Sequence, residues 1–230
     1  HRVDRRQRQM CIRDRPCLVA VPSQLLLMLQ WAAHRALAPI PDVELIMISG
    51  ARWMRAQTPA LRALFPRARI IEFYGASEAS FIAWMEADEQ APPQAVGRPF
   101  SNVQLQIRPA TQQPGDQPLQ PGEDGLIYMR SPMLFMDYVG EARDGTAALR
   151  DGEWLSVRDM GHIDAGGQLC LAGRQSRMLV TQGKNLFPEE VETLLAAHPG
   201  VAQVSIQGLP DALRGMQVHA VVQWLSLIHI

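Results

Sequence analysis

The stretch Tyr74-Gly75-Ala76-Ser77-Glu78 places four kinds of ligand-binding group within five residues. It offers an aromatic face for stacking, a glycine that permits close backbone approach, a hydroxyl donor and a carboxylate able to hold a hard cation. A short apolar run directly precedes it, so the stretch is expected where a buried strand meets a turn. Taken alone, such a stretch is more often plain turn architecture than a binding site.

Two charged residues further along the chain could also contact a polar ligand. Asp159 is followed by Gly161 and Asp164, and its carboxylate could accept bonds from two hydroxyl groups. Arg174 follows Gly173, and its guanidinium presents a fixed fork of donors. Each has an ordinary alternative, because aspartate is common in turns and an exposed arginine often forms a surface ion pair worth under about 1 kcal/mol.

The elements that must position the five-residue stretch are predicted to be a strand, a helix and a strand. Residues 43–49 and 68–73 predict buried strands, and Thr58 is predicted to cap a helix between them whose first residue is Pro59. Such a unit is a parallel crossover, and ligands gather at the carboxyl ends of its strands. Gly50 and Ala51 follow the first strand, so we expect them beside the five-residue stretch.

Two further regions follow the crossover unit. Period-two alternation, clearest in residues 103–107, predicts a β-rich subdomain from about residue 96. After it, a short strand, a helix beginning at Pro188 and two more strands predict a small α+β domain, with a boundary near residues 175–176. A helix capped by Ser23 precedes all of these elements.

Two connections are predicted within the small domain. Residues 182–185 predict a loop before the helix, and residues 209–211 predict a turn between the last two strands. The first of these contains Lys184, the single lysine of the sequence.

The composition limits the class of protein. The 230 residues are 47% hydrophobic with 22 basic against 23 acidic residues, which suits a globular chain and gives no reason to expect nucleic acid or an anionic membrane as a partner. Residues 1–15 hold six arginines and two aspartates, which predicts a disordered or non-native leader, with a targeting segment as the alternative. No apolar stretch suits a signal peptide or a membrane span, so a soluble cytoplasmic protein is the default expectation.

Cysteine and histidine patterns favour neither a disulfide framework nor a zinc site. Cys11, Cys17 and Cys170 form no CxxC pair, and the six histidines include no HExxH motif. The three cysteines are therefore expected to be bystanders.

Four segments, taken in order, resemble the adenylate-forming superfamily, which includes acyl-CoA synthetases, adenylation domains of peptide synthetases and luciferases. Its patterns are an aromatic-Gly-x-Thr-Glu turn, a Thr-Gly-Asp-x-Gly-x-x-Asp segment, a Gly-Arg hinge entry and a Pro-x-Glu-Ile-Glu helix start. The matching residues here are Tyr74 to Glu78, Asp159 with Gly161 and Asp164, Gly173-Arg174, and Pro188-Glu189-Glu190-Val191-Glu192. The resemblance runs from about residue 43 to residue 224.

The resemblance implies that the stretch from Tyr74 to Glu78 and the loop that contains Gly50 and Ala51 form half of a nucleotide site. Tyr74 would lie against the adenine ring of ATP or AMP. The backbone of Gly50 and Ala51, with that of Gly75 and Ala76, would line the nucleotide and acyl pocket.

The resemblance also implies roles for the polar side chains. Ser77 would donate to phosphate, and Glu78 would hold Mg²⁺, which suits a hard oxygen ligand. Asp159 would accept from the ribose hydroxyls, and Arg174 would bond the ribose or phosphate side of the nucleotide. Coenzyme A, or the pantetheine of a carrier protein, would receive the acyl group.

The sequence departs from the family pattern at three positions. Val157 and Arg158 replace Thr-Gly, which removes a hydroxyl and places a cation beside Asp159. Ser176 stands where the hinge usually has Asp or Lys, although a hinge needs only to absorb dihedral change. Ser77 replaces threonine and keeps the hydroxyl.

Two parts of the family pattern are not found in the sequence. One is a phosphate loop ending in Pro-Lys-Gly, and the other is the catalytic lysine near the end of the C-terminal domain. Lys184 lies at neither position; it either contacts a pantetheine arm or is solvated. We therefore expect an internal fragment that is inactive alone, with the tail a product of an interrupted reading frame or a cloning scar. The expected divisions are residues 1–15 (leader), 16–174 (partial N-terminal domain, β-rich from about 96), 175–224 (partial C-terminal domain) and 225–230 (tail).

The expected fold class is α/β: the late part of a large adenylate-forming N-terminal domain, with a parallel αβ layer and a β-rich subdomain, followed by the start of a small α+β C-terminal domain. The expected parent is an ATP-dependent carboxylate:CoA ligase acting on a small fatty or aromatic acid. Alternatives are a ligase that loads a carrier protein, a non-catalytic nucleotide or acyl-binding module, and a structural interaction domain. The apolar residues Phe81, Ile82, Trp84 and Met85 would suit an acyl pocket in either ligase.

Overall fold

The computed structural model describes residues 17–111, 117–139, 146, 149–181, 184–198, 200–211 and 215–224. The predicted leader and tail, residues 1–15 and 225–230, lie outside the described residues. The chain forms two compact units: unit 1 is drawn from His1–Pro92, Val96–Val103 and Ser131–Phe135, and unit 2 from Pro93–Ala95, Gln104–Arg130 and Met136–Ile230. The boundary near residues 175–176 stays a prediction.

Unit 1 is a mixed sheet with two helices. Its strands are β1 (Cys17–Ala20), β2 (Leu45–Ile48), β3 (Arg69–Ala76), β4 (Ser80–Glu86) and β5 (Ala95–Pro99), and its helices are α1 (Pro22–His34) and α2 (Thr58–Leu64). The first three strands are parallel neighbours, and β4 and β5 continue the sheet antiparallel. A 3-10 turn at Arg55–Gln57 leads into α2.

The predicted parallel crossover is confirmed as β2, α2 and β3. However, β3 ends three residues later than predicted, because antiparallel pairing with β4 extends its ladder. Tyr74, Gly75 and Ala76 are therefore strand residues, and the chain reverses at residues 77–79. The prediction that the whole five-residue stretch forms a turn was wrong for its first three residues.

The start of α1 also differs from the prediction. The helix begins at Pro22, which is favourable in a first helical turn, and not after a cap at Ser23. The Val21 N–H donates to the side-chain Oε1 of Gln24 at 3.1 Å, which is half of a capping box. Gln24 thus contributes to the helix start through a bond to the N–H of the N-cap residue, which differs from the side-chain cap predicted for Ser23.

One apolar cluster holds the helices of unit 1 against the sheet. Leu25 of α1 and Leu61 of α2 are fully buried, as is Ile46 of β2. Trp53 and Phe65, on either side of α2, belong to the same cluster. Full burial of each large apolar side chain contributes about 1.5–3 kcal/mol, so this cluster stabilises the layer that carries the candidate site.

Unit 2 contains an antiparallel sheet and a smaller sheet with one helix. The first has β6 (Gln104–Arg108), β7 (Gly125–Arg130), β8 (Arg150–Asp151), β9 (Trp154–Leu155), β10 (Asp159–Ile163) and β11 (Leu169–Arg174). The second has β12 (Leu179–Thr181), β13 (Lys184–Leu186), β14 (Val201–Asp211) and β15 (Gly215–Trp224), with helix α3 (Pro188–Ala196). The mixed α/β fold class, with a large sheet and a second small sheet, is confirmed.

Parts of two predicted connections of the small sheet are strand residues, while residues 182 and 183 of the first lie outside the described residues. Lys184 pairs with Thr181 in the β12–β13 hairpin, so it does not lie in a loop. Residues 209–211 continue β14 and pair with β15, where Pro210 lies opposite Met216. Among the described residues, no helix is long and apolar enough to cross a membrane.

Candidate functional site

Gly50 lies beside the strand that carries Tyr74. The last residue of β2, Ile48, is level with Glu72 of β3, and Gly50 and Tyr74 each follow two residues later. Gly50 has φ +84°, a left-handed conformation that glycine adopts without steric cost. Within unit 1, the two segments that were predicted to meet therefore follow neighbouring parallel strands toward the same edge of the sheet.

Gly75 is required by the β3–β4 hairpin itself. The pairing register shifts between Tyr74 and Gly75, which brings the Ser80 carbonyl close to the Gly75 backbone. A Cβ at Gly75 would lie 2.4 Å from that oxygen, so no larger residue fits. We had attributed this glycine to the close approach of a ligand, but the hairpin alone is enough to require it.

Ser77 and Glu78 form the exposed part of the hairpin. Ser77 is exposed and Glu78 is half-buried, while the next residue, Ala79, is buried and anchors the turn. The Glu78 carbonyl accepts a bond from the Phe135 N–H at 2.8 Å. The described residues contain no cluster of three or more His, Cys, Asp or Glu that could hold a metal. A single carboxylate fits Mg²⁺ only if substrate phosphates and water supply the other ligands, which is how Mg²⁺ is commonly bound.

The four apolar residues suggested for an acyl pocket do not share one environment. Phe81 and Trp84 belong to an aromatic cluster in which the Phe100 ring lies 5.6 Å from Phe81 and 6.2 Å from Trp84, between centroids. Ile82 is fully buried, and the Met85 sulfur is bonded by an arginine. Their role in an acyl pocket stays a prediction.

Local sequence patterns did not predict a largely buried ion pair at Glu72, two residues before Tyr74 on β3. Arg55 Nε lies 3.1 Å from Glu72 Oε1, and their side chains are only 10% and 12% exposed. Burial raises the pKa of Glu72 above its usual value of 4.5, and the hydrogen bond and charge of Arg55 offset only part of that rise. The only sequence signal was a charged residue inside an apolar strand, which is unusual without a partner.

Trp53 fixes the loop that precedes Arg55. Its indole N–H donates to the Thr58 hydroxyl at 2.9 Å, and both side chains are buried. Thr58 is therefore the first residue of α2 and a core acceptor, and it does not cap the helix as predicted.

In unit 2, Asp159 and Arg174 face each other across the β10–β11 hairpin. Arg174 Nε lies 3.3 Å from Asp159 Oδ1, and the arginine side chain is 72% exposed while the aspartate is 13% exposed. The structure thus pairs the two residues that we predicted to contact the ribose side of a nucleotide. A mostly exposed arginine contributes little stability through this pair and stays accessible to a ligand.

Arg158, the departure from the family glycine, is directed toward Gln175. Its φ is +64°, and its N–H donates to Ser156 Oγ at 3.1 Å. Its carbonyl accepts from the Gln175 N–H at 3.0 Å, and its Nη1 lies 3.3 Å from Gln175 Oε1. The backbone here keeps the conformation that favours glycine, although the residue is arginine.

A second charged cluster ties α3 to the 3-10 turn Gln175–Arg177. Arg177 bonds Glu189 at 2.9 Å and Glu192 at 2.7 Å. Burial tends to raise the pKa of Glu192, but bonds from Arg177 and from the Ile206 N–H outweigh burial and lower it below 4.5. Local sequence patterns do not reveal this cluster, because Arg177 lies twelve and fifteen residues before its two partners.

The chain is similar to known proteins in both sequence and fold. Residues 7–139 match the family described as AMP-binding enzyme. An uncharacterized acyl-CoA ligase of Bacillus subtilis is 40% identical over 179 residues, 77% of this chain and 35% of its own length. Indoleacetate-CoA ligase of Aromatoleum aromaticum is 31% identical over 197 residues, 77% of this chain and 37% of its own length. The chain therefore spans little more than a third of these relatives.

Solved structures of similar fold are adenylate-forming enzymes. An amide bond synthetase from Marinactinospora thermotolerans superposes with a TM-score of 0.78 and 28% identity, over 95% of this chain and 44% of that one. The o-succinylbenzoate CoA synthetase of Bacillus subtilis, solved with its acyl-adenylate intermediate, shares the fold with a TM-score of 0.75 and 23% identity, over 94% of this chain and 43% of that one. The family match covers more than half of the chain, and with these relatives it shows that the chain belongs to the AMP-binding, adenylate-forming enzyme family.

Proposed function

We propose that this chain is part of an ATP-dependent carboxylate:CoA ligase, which forms an acyl-adenylate and then a thioester. The observation that supports the proposal is that β2, which Gly50 and Ala51 follow, and β3, which carries Tyr74, are neighbouring parallel strands, so both segments lie toward the same edge of the sheet. Ligands bind at this edge in open α/β sheets. The kinship with acyl-CoA ligases supplies the reaction class.

In the proposed first step, a carboxylate oxygen of the acid attacks the α-phosphorus of ATP, and pyrophosphate leaves. Both reactants are anionic, so the step needs cations and firm alignment. The Ser77 hydroxyl donates to a phosphate oxygen, and the Glu78 carboxylate would supply one oxygen ligand to Mg²⁺. Mg²⁺ supplies charge neutralisation of the phosphates when it is bound. The exposure of Ser77 and the half-exposed Glu78 carboxylate support these roles.

The remaining residues hold the nucleotide. Tyr74 stacks against adenine, and the backbone of Gly50 and Ala51 lines the nucleotide and acyl pocket, as does that of Gly75 and Ala76. In unit 2, the Asp159 carboxylate accepts from the ribose hydroxyls, and Arg174 donates to the ribose or phosphate side. The exposed Arg174 fork supports this role, because it can exchange its bond with Asp159 for one to a ligand.

Coenzyme A is the proposed acyl acceptor, and the acid is a fatty or aromatic one. A carrier-protein pantetheine is the second candidate, because a fatty acid-[acyl-carrier-protein] ligase of Streptomyces coeruleorubidus is 31% identical over 129 residues. Both acceptors present the same thiol, so the active-site residues described above serve either reaction. We propose the cytoplasm as the site of the reaction, since it supplies ATP and CoA.

The test is product formation by the whole protein that contains this chain. Incubation with ATP, Mg²⁺, CoA and a panel of fatty and aromatic acids should yield an acyl-CoA, detected by mass spectrometry. A thioester formed only with pantetheinylated carrier protein would favour the second candidate. Neither thioester with any acid would contradict the proposed function. We expect the 230-residue chain alone to be inactive in the same assay.

A further inference from the structure

We infer that Arg55 is a positioning residue of the proposed site: it fixes the loop that carries Gly50 and Ala51 against the strand that carries Tyr74. The identity of the ligand rests on the proposed function. The contacts that support the inference lie within unit 1 and do not depend on that identity.

Every N–H of the Arg55 guanidinium has an acceptor. Nε and Nη2 donate to the two carboxylate oxygens of Glu72, at 3.1 and 3.5 Å. Nη2 also lies 3.3 Å from the sulfur of Met85. Nη1 donates to the carbonyl of Ala91 at 3.0 Å and to that of Pro92. Arginine has five donors in a fixed fork, and all five are used here.

These contacts join separate parts of the chain. Arg55 lies in the 3-10 turn at the end of the loop that follows β2, Glu72 lies on β3, and Met85 lies opposite Glu72 on β4. The carbonyls of Ala91 and Pro92 come from the connection after β4. One side chain therefore sets the position of the loop relative to two strands and a connection.

The location of the pair relates it to the proposed site. Glu72 and Tyr74 are two residues apart on β3, so their side chains lie on the same face about 7 Å apart along the strand. Gly50 lies in the loop after β2, two residues beyond Ile48, the partner of Glu72. The Arg55–Glu72 pair therefore lies one side-chain step along β3 from Tyr74.

The low exposure of the pair makes it hard to replace. A buried carboxylate without its partner is strongly unfavourable, so loss of Arg55 should release the loop or force Glu72 to take up a proton. Lysine has three donors and no fork, so it cannot satisfy the same acceptors. The indole bond of Trp53 to Thr58 still holds the middle of the loop, so loss of Arg55 should loosen the loop without unfolding unit 1.

The first test uses the 230-residue chain and needs no ligand. Amide hydrogen exchange in residues 50–57 is measured for the wild type, Arg55→Met and Arg55→Lys, together with the NMR signal of the Trp53 indole N–H. We expect exchange about tenfold faster in both variants and a shifted indole signal, as for loss of a charged hydrogen bond. The matched control is Arg62→Met, which removes an arginine that bonds Glu89 and the Ala87 carbonyl, and it should leave residues 50–57 unchanged.

Unchanged exchange in Arg55→Met, or full recovery by Arg55→Lys, would overturn the inference. If Arg55→Met does not fold, Glu72→Gln serves in its place, because it keeps the shape of the side chain and removes the charge. We expect faster exchange of residues 50–57 in that variant too, and wild-type exchange there would equally overturn the inference.

The second test separates positioning from general damage in the whole protein. Arg55→Lys should raise KM for ATP about tenfold while changing kcat by less than about threefold, because the loop lines the nucleotide pocket. A lower kcat with unchanged KM would contradict positioning of the nucleotide. A wild-type protein that forms no thioester would refute the proposed function, and the exchange test would still decide whether Arg55 holds the loop.

Discussion

Arg158 binds Gln175 twice, through its carbonyl oxygen at 3.0 Å and through its guanidinium at 3.3 Å. Asp159 directly follows Arg158, and Arg174 directly precedes Gln175. The two bonds between Arg158 and Gln175 are therefore adjacent to the Asp159–Arg174 ion pair, which we predicted to contact the ribose. These bonds require a left-handed backbone at Arg158, which destabilises a non-glycine residue by roughly 1–2 kcal/mol.

Substitutions at Arg158 should reveal that cost. Alanine removes the guanidinium bond and keeps the unfavourable backbone, whereas glycine removes both. We expect Arg158→Gly to have a free energy of unfolding about 1 kcal/mol higher than Arg158→Ala, measured by denaturant titration. At Arg130 in β7, where the backbone is ordinary strand, alanine should be the more stable of the two. The same order at both positions would rule out a left-handed Arg158.

Thr58 should be sensitive to loss of its hydroxyl. Thr58→Val keeps the shape but leaves the buried indole N–H of Trp53 without its acceptor, which costs about 1–3 kcal/mol. Thr58→Ser keeps the acceptor and should cost only about 1 kcal/mol for the lost methyl group. The stabilities of the two variants are compared by thermal and denaturant unfolding. A valine variant as stable as the serine variant would show that the indole bond is unimportant.

Glu192 should stabilise the protein in a pH-dependent way. Its folded pKa is lowered, so its contribution is present above about pH 4.5 and is lost as the pH falls through the folded pKa. The free energy of unfolding of Glu192→Gln should therefore fall less than that of the wild type between pH 6 and about pH 3, as measured by denaturant unfolding. Glu153→Gln, at an exposed ion pair, is the control. If the free energies of unfolding of the wild type and Glu192→Gln fall in parallel with pH, the bonds of Glu192 to Arg177 do not stabilise the protein.

Glu72 should have the opposite effect. Its folded pKa is raised, so the folded state binds a proton that the unfolded state has released, and stability falls as the pH rises from about 4.5 through the folded pKa. Glu72→Gln should lack this decline. The measurement is the difference in unfolding free energy between the two proteins across that pH range. A difference that grows in favour of the wild type as the pH rises would contradict a desolvated Glu72.

Local sequence patterns were enough to predict the main elements. The apolar run before Gly50, the proline after Thr58 and the run before Tyr74 together predicted the parallel crossover, which is confirmed. Proline before an acidic turn likewise predicted α3 from Pro188. These signals lie within a few residues of the elements that they determine.

Features that depend on distant residues could not be predicted in this way. Tyr74 continues β3 because β4 pairs with it, and Arg55 is buried because Glu72 and two carbonyls lie near it only in the fold. The turn of Arg158 toward Gln175 likewise depends on the β10–β11 hairpin. The roles proposed for Ser77 and the other site residues come from resemblance and stay predictions.

Acid-dependent exchange of pyrophosphate into ATP by the whole protein tests the central claim most directly. We expect exchange only when a suitable carboxylic acid is present, and a fall of about a hundredfold in Glu78→Gln, which removes the charge of the proposed Mg²⁺ ligand. Glu89→Gln, at a surface ion pair with Arg62, should keep the wild-type rate. No acid-dependent exchange, or an unchanged rate in Glu78→Gln, would contradict the account.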